Sequence, residues 1–146
     1  MRAFSLIELI FVLVIMGILS FVGMQFIPNE TPLSDSEILK KLILTKKTNA
    51  LGYKIFGENN ETCIKLTKND INSEENASRA KYRFKSDIQV SGLSGDLLCF
   101  DYMGRPYDGG VDEKLTHLLK NFVTITLIYK NKEKNLTLYP VSGYVR

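Results

Sequence analysis

The residues of this chain that could do covalent or metal chemistry are few, and their number already excludes several kinds of active site. There are two cysteines, Cys63 and Cys99, one histidine, His117, and no tryptophan. Metal sites built from Cys/His clusters and Cys–His nucleophile pairs are poorly supplied by this set. His117 has no visible acid and nucleophile beside it, which indicates a structural histidine. We therefore expect no cofactor, no metal and no catalytic residues, and we predict that the chain is not an enzyme.

Three asparagines lie in the pattern acid-x-Asn-x-Ser/Thr, which could support attachment of an oligosaccharide. They are Asn60, Asn76 and Asn135. On the order of 0.1 such matches are expected by chance at this composition. The pattern is similar to the acceptor sequence of bacterial periplasmic oligosaccharyltransferases and implies N-glycosylation at these positions. A polar loop composition in a host without that enzyme is the alternative, and the pattern does not decide between the two.

Four cations alternate with Ala80, Tyr82 and Phe84, so all four could project from one face of a strand. These cations are Arg79, Lys81, Arg83 and Lys85. Such a face could contact DNA phosphates. It could instead be solvated or contact an acidic neighbouring protein, because the exposed aromatic residues that favour DNA are not interleaved with it.

Four acidic residues lie close together in a glycine-containing loop and are candidate ligands for calcium. They are Asp101, Asp108, Asp112 and Glu113. The ligand spacing of an EF-hand is absent, and aspartates are common in turns because their side chains hydrogen-bond to the nearby backbone. Turn chemistry is the interpretation that we prefer.

Composition sets the framework that must position these residues. The chain has 146 residues, enough for one ordinary domain, and a net charge of +3 that is too weak to imply nucleic acid by itself. A capping-box spacing at Ser34 and Glu37 predicts an amphipathic helix over about 34–52, which Gly52 could end. Period-two runs predict strands over 62–67, 79–85, 88–90, 97–102, 122–129 and 136–141. Residues 69–76 are predicted to be a polar loop and 130–134 a hairpin turn, so the fold class is α+β.

The N-terminal segment differs from the rest of the chain. Residues 4–27 are apolar apart from one charge, Glu8. As a helix they would be about 36 Å long, against a hydrocarbon core of roughly 30 Å. Arg2 precedes the segment and acids follow it, so the positive-inside rule predicts a cytoplasmic N-terminus. The sequence thus predicts a single-pass membrane protein whose residues 28–146 lie outside the cytoplasm.

A carboxylate inside such a segment makes membrane insertion less favourable by at least a few kcal/mol, so its presence indicates a binding partner or a function. Glu8 follows Ala3-Phe4-Ser5-Leu6-Ile7 and precedes an unbroken apolar run. This arrangement resembles the class III signal sequence of type IV pilins and type II secretion pseudopilins. Snorkelling of Glu8 to the interface is the simpler alternative.

The resemblance implies a function and a set of processing sites. A prepilin peptidase would remove the leader 1–3 between Ala3 and Phe4 and methylate the Phe4 amine. Residues 4–27 would be the assembly helix, and Glu8 would pair with the Phe4 amine of a neighbouring subunit. The implied fold is pilin-like, a long N-terminal helix packed on an antiparallel sheet, with the protein anchored in the inner membrane and residues 28–146 in the periplasm. The partners would be other pseudopilins, the prepilin peptidase and the inner-membrane assembly platform. Ala3 replaces the usual glycine, the leader is short, and the usual helix-kinking proline is absent.

Two further expectations depend on this location. Outside the cytoplasm, Cys63 and Cys99 are expected to form a disulfide, the alternative being two buried thiols. Residues 98–106 and 136–145 are loosely similar to segments of H-type minor pseudopilins. The chain is therefore identified as a minor pseudopilin of a secretion or DNA-uptake (competence) system. A signal-anchored periplasmic binding module that never polymerises is the alternative.

Overall fold

The computed structural model describes residues 6–25, 31–52, 56–77 and 82–146. The chain forms two units, Met1–Glu30 and Thr31–Arg146. The first contains helix α1 (Leu6–Gln25), and the second contains the remaining helices and all the strands. In the second unit, one helix packs on antiparallel sheets, which confirms the predicted α+β class.

Helix α1 corresponds to the apolar segment in which the sequence predicts a membrane-spanning helix over 4–27. It comprises 20 of those residues, while residues 4, 5, 26 and 27 lie outside the described part. Within the residues that the structure describes, no helix is both long and apolar enough to cross a membrane.

Helix α2 (Thr31–Ala50) buries one stripe of its surface. The buried positions recur every three or four residues, as expected for a helix lying on a sheet; they are Pro32, Asp35, Ser36, Leu39, Ile43, Lys46 and Ala50. Because Pro32 suits the first turn of a helix, α2 begins before Ser34, so the predicted capping box lies inside the helix. Gly52 follows with a φ of 86°, the left-handed conformation that commonly ends a helix.

Two three-stranded antiparallel sheets lie beside α2. The first has the order β1-β3-β4 and the second β2-β5-β6. Their strands are β1 (Cys63–Lys65), β2 (Asp87–Ser91), β3 (Leu97–Phe100), β4 (Pro106–Asp108), β5 (Val123–Tyr129) and β6 (Lys132–Leu138). Helix α2 contacts strands of both sheets, so Leu39 and Ile43 share one core with Leu98, Ile125 and Leu136.

The prediction of a polar loop over 69–76 was wrong, because helix α3 (Lys68–Ala77) occupies this region. Thr67 caps it, since its hydroxyl accepts a hydrogen bond from the Asp70 backbone N–H at 3.3 Å. Ile71, which is fully buried, anchors the helix in the core. A single apolar anchor leaves too weak a period for sequence analysis to detect.

The strand predicted over 79–85 is not found at residues 82–85, which form no strand, while residues 79–81 lie outside the described part. The backbone donors of this segment bind side chains instead of a strand. The Phe84 N–H donates to Asn72 Oδ1 at 2.8 Å, and the Lys85 N–H donates to Asp35 Oδ2 at 3.1 Å. Helices α3 and α2 thus satisfy donors that a sheet would otherwise take up.

The hairpin between β5 and β6 has a shorter turn than the predicted 130–134. Only Lys130 and Asn131 form it, and both have positive φ, 46° and 62°. Two consecutive residues of this kind make a type I′ turn, whose twist suits two paired strands. Strand β6 consequently begins at Lys132 and ends at Leu138, whereas the sequence predicts a strand over 136–141.

Candidate functional site

The surface of α1 is apolar on all sides. All the described side chains from Leu6 to Val22 are exposed, and Glu8 is the charged residue among them. A helix that is apolar on every side is unfavourable in water, so lipid or other helices must cover it. This helix is therefore one candidate for a site of interaction.

Glu8 has no ion-pair partner among the described residues. Ala3 and Phe4, the predicted cleavage and methylation sites, lie outside the described part of the chain. Pairing of Glu8 with the Phe4 amine of a neighbouring subunit thus stays a prediction.

The two cysteines meet in the first sheet. Cys63 of β1 lies directly opposite Cys99 of β3, with a Cα–Cα distance of 4.0 Å, and a disulfide joins them. This is the pair that the sequence predicts. Both side chains are buried beside Tyr107 and Val111, so the bond belongs to the interior of the folded unit.

Asp35 joins α2 to the segment before β2. Its carboxylate is fully buried and accepts hydrogen bonds from the Tyr82 hydroxyl at 2.6 Å, the Ser86 N–H at 2.7 Å and the Ser86 hydroxyl at 2.6 Å. Burial, followed by the contact with Asp35, raises the pKa of Tyr82. These bonds attach α2 to the segment before β2, and the Tyr82 donor is 47 residues from Asp35 in the chain.

Asp101 organises the turn between β3 and β4. It is buried and accepts from the N–H groups of Met103 and Arg105 and from the Arg105 guanidinium. The hydrogen bond to Asp101 raises the pKa of Arg105, and burial raises the pKa of Tyr107, whose hydroxyl donates to Asp101 at 3.3 Å. The carboxylate therefore shapes this turn and is already occupied by donors.

A cleft of about 430 Å³ opens above this turn. Four exposed apolar side chains form its rim, namely Phe56, Tyr102, Met103 and Leu115. Its floor contains Tyr107 and the Asp101–Arg105 pair. Concave apolar surfaces with a few polar groups are the usual form of a binding site. No local sequence pattern indicates this rim, because Phe56, the Tyr102–Met103 pair and Leu115 are far apart in the chain.

Three of the four acidic residues, Asp101, Asp108 and Asp112, have partners within the protein, and Glu113 is exposed. Asp108 accepts from the Ser94 N–H at 2.8 Å, and Asp112 accepts from the Thr116 N–H at 2.9 Å. The hydrogen bond from the Thr116 hydroxyl lowers the pKa of Asp112. No cluster of three metal-binding side chains occurs among the described residues. His117 is exposed, and its backbone N–H donates to Asp112 Oδ1 at 3.5 Å.

The structure describes two members of the predicted basic row. Arg83 and Lys85 are both exposed, on either side of the buried Phe84. Arg79 and Lys81 lie outside the described part. The four-residue cationic face for DNA therefore stays a prediction.

The three glycosylation sequences lie in three different elements. Asn60 is exposed in a turn before β1, and Asn135 is exposed in β6. Asn76 belongs to α3, and its side chain lies outside the described part.

Comparisons of the chain with protein-family models, with curated proteins and with solved structures give no match.

Proposed function

We propose that this chain is a pilin-like subunit, a minor pseudopilin of a type II secretion or DNA-uptake pseudopilus. In this proposal a prepilin peptidase cuts after Ala3, and the inner-membrane assembly platform inserts the subunit among other pseudopilins. Its task is to build or prime a filament that moves exported protein or DNA. It is not an enzyme.

One observation carries the proposal, namely that α1 exposes apolar side chains on every side. Its described side chains from Leu6 to Val22 are all exposed, and the apolar run of the sequence continues past α1 at both ends, from Phe4 to Ile27. In the proposed cycle, the inner membrane covers this run before assembly, and the helices of other subunits cover it in the filament.

Glu8 gives the proposal its specificity. A membrane anchor gains nothing from a carboxylate, since the charge makes insertion less favourable by a few kcal/mol. A filament can use it, because a buried carboxylate and a buried ammonium are each costly alone and tolerable together. Pairing Glu8 with the Phe4 amine of the next subunit would set the axial register between subunits.

The second unit supports the same proposal more generally. Helix α2 follows α1 closely in the chain and packs on two antiparallel sheets, an arrangement that the pilin resemblance implies. The segment 98–106, which is loosely similar to H-type minor pseudopilins, forms strand β3, a turn and the start of β4.

A non-polymerising binding module, anchored by the same segment, is the second candidate. The cleft rimmed by Phe56 and Met103 favours it, because such a surface could hold a partner without any filament. The two candidates differ in their need for Glu8.

The test is to replace Glu8 in the native host and measure secretion or transformation together with filament formation. Glu8→Ala and Glu8→Gln both remove the charge, and Gln retains the shape and hydrogen bonding. If Glu8 receives a neighbour's ammonium, each change leaves that ammonium unpaired, at a cost of about 3–5 kcal/mol per contact. We expect normal membrane levels and normal Phe4 processing with a sharp loss of filament function.

Ser20→Ala is the matched control, because the Ser20 hydroxyl donates to the Met16 carbonyl within the same helix. That change removes a polar group from α1 without altering its charge, so function should persist. Wild-type function in both Glu8 variants would reject the pseudopilin proposal and leave an anchored binding module.

A further inference from the structure

The solvent face of the β2-β5-β6 sheet is polar and regularly ordered. Strand pairing places its side chains in three rows across the sheet. The rows are Ser91, Thr124 and Thr137, then Gln89, Thr126 and Asn135, then Asp87, Ile128 and Glu133. Among the intervening residues, Ile125 of β5 and Leu136 of β6 point into the core, as do Val123, Leu127 and Leu138. Apart from Ile128, the outer face therefore presents hydroxyls, amides and carboxylates to solvent.

A complete acid-x-Asn-x-Thr sequence lies along one edge of this face. Successive side chains of a strand alternate between its two sides, so Glu133, Asn135 and Thr137 share the outer side. Glu133 and Asn135 are exposed, and Thr137 is partly exposed. The folded strand thus displays the acid, the amide and the hydroxyl of the pattern together.

The backbone around Asn135 is also accessible. Strand β6 is an edge strand of its sheet, and the backbone of Thr137 pairs with that of Arg146 on its outer side. Within the described part of the chain, Glu133 and Asn135 make no outward backbone hydrogen bond. An enzyme could therefore approach Asn135 from the edge of the sheet without displacing another strand.

Asn60 is arranged in the opposite way. Its partner in the pattern, Thr62, is 1% exposed, and the Thr62 hydroxyl lies 3.9 Å from the Cys63 sulfur. The backbone carbonyl of Asn60 accepts a hydrogen bond from the Lys46 ammonium. Folding and disulfide formation thus hide the hydroxyl that an acceptor sequence must present.

We propose that Asn135 is an N-glycosylation site of the folded protein. The glycan donor is an oligosaccharide linked to a polyprenyl diphosphate, and the enzyme is a transferase that reads acid-x-Asn-x-Ser/Thr. The Asn135 amide nitrogen forms a bond to the anomeric carbon of the first sugar. The bond between that carbon and the diphosphate oxygen breaks, polyprenyl diphosphate leaves, and a base of the transferase takes the amide proton.

A glycan at this position would have a physical consequence for the sheet. Edge strands offer unpaired backbone groups to other chains and are prone to pairing with them. A bulky, hydrated group on Asn135 would cover the outer side of β6 and the neighbouring polar rows. The modification would thus leave the core unchanged and shield one edge of the domain.

The test adds a purified transferase of this specificity and its lipid-linked oligosaccharide to the full, oxidised chain in detergent. Mass mapping of peptides then locates the modification. We expect the peptide containing Asn135 to gain the oligosaccharide, and the peptide containing Asn60 to gain it only after reduction and unfolding. Since enzyme and donor are supplied directly, the result does not depend on filament assembly.

Thr137→Val removes the hydroxyl of the pattern with little change in shape and should abolish modification. Thr126→Val is the matched control, because Thr126 lies directly across from Asn135 on the same face but outside the pattern. That variant should be modified like the wild type. Glu133→Gln, at an exposed position, provides a second test that does not disturb folding, and it should reduce modification.

An unmodified Asn135 in the folded chain, under conditions where the enzyme modifies a reference acceptor peptide, would overturn the proposal. Retention of the modification in Thr137→Val would overturn it as well.

Discussion

The carboxylate of Asp35 in helix α2 accepts a hydrogen bond from the hydroxyl of Tyr82 at 2.6 Å, across 47 positions of the chain. The same carboxylate binds the backbone and hydroxyl of Ser86. Since Asp35 is fully buried, these donors are its substitute for water. The contact ties α2 to the segment that enters β2.

Asp35→Ala should destabilise the folded unit strongly. The change leaves the Ser86 and Lys85 donors without an acceptor in the interior, and we expect a loss of about 3 kcal/mol or more in the free energy of unfolding. Urea unfolding of the detergent-solubilised chain measures it. Ser36 belongs to the same buried stripe, and its hydroxyl donates to the nearby Leu33 carbonyl. Ser36→Ala should therefore lower the free energy of unfolding by about 1 kcal/mol. Equal losses in the two variants would contradict the role given to Asp35.

Stability should fall at alkaline pH partly through Tyr82. Burial and Asp35 raise its pKa above the ordinary value of 10.0, so the folded state keeps a proton that the unfolded state loses. The contribution is complete below pH 10 and declines as the pH rises above it. Tyr82→Phe should flatten this decline, leaving the part due to other groups, including Tyr107, whose pKa is also raised. Identical dependences of the unfolding free energy on pH in the wild type and in Tyr82→Phe would contradict this role of Tyr82.

Reduction of the Cys63–Cys99 disulfide should lower stability by about 3–4 kcal/mol, because the bond closes a loop of 36 residues in the unfolded chain. Urea unfolding with and without reductant measures the difference. The double variant Cys63→Ser/Cys99→Ser is the control, since it should match the reduced protein and be insensitive to reductant. Recovery of two freely alkylated thiols from denatured, non-reduced protein would show that the bond does not form.

Processing of the N-terminus tests the pilin proposal independently of assembly. Co-expression with a prepilin peptidase should remove residues 1–3 and leave N-methylated Phe4, which intact mass and N-terminal peptide analysis would detect. An inactive peptidase variant is the control. Intact Met1 in protein extracted from membranes of the native host would contradict the proposal.

The local pattern of the sequence was sufficient for the elements that depend on it. The apolar run predicted a helix, found as α1 at Leu6–Gln25, and alternation predicted strands that overlap β2, β3 and β5. The sequence pattern predicted an amphipathic helix over about 34–52, and α2 buries Leu39 and Ile43 on one face. The pairing of Cys63 with Cys99 was predictable because the chain has only two cysteines. The helix and the strands follow from periodicity among neighbouring residues, and the cysteine pair follows from composition.

Tertiary structure alone decided the rest. Residues 82–85 alternate like a strand, yet they form none, because Asp35 and Asn72 on two helices take their backbone donors. Asp35 is a surface residue by type and is buried only because those distant donors surround it. The cleft likewise joins Phe56, Met103 and Leu115, and the face of Asn135 depends on the register of three strands. Such contacts join residues far apart in the chain, and a local pattern carries no information about which distant groups will meet.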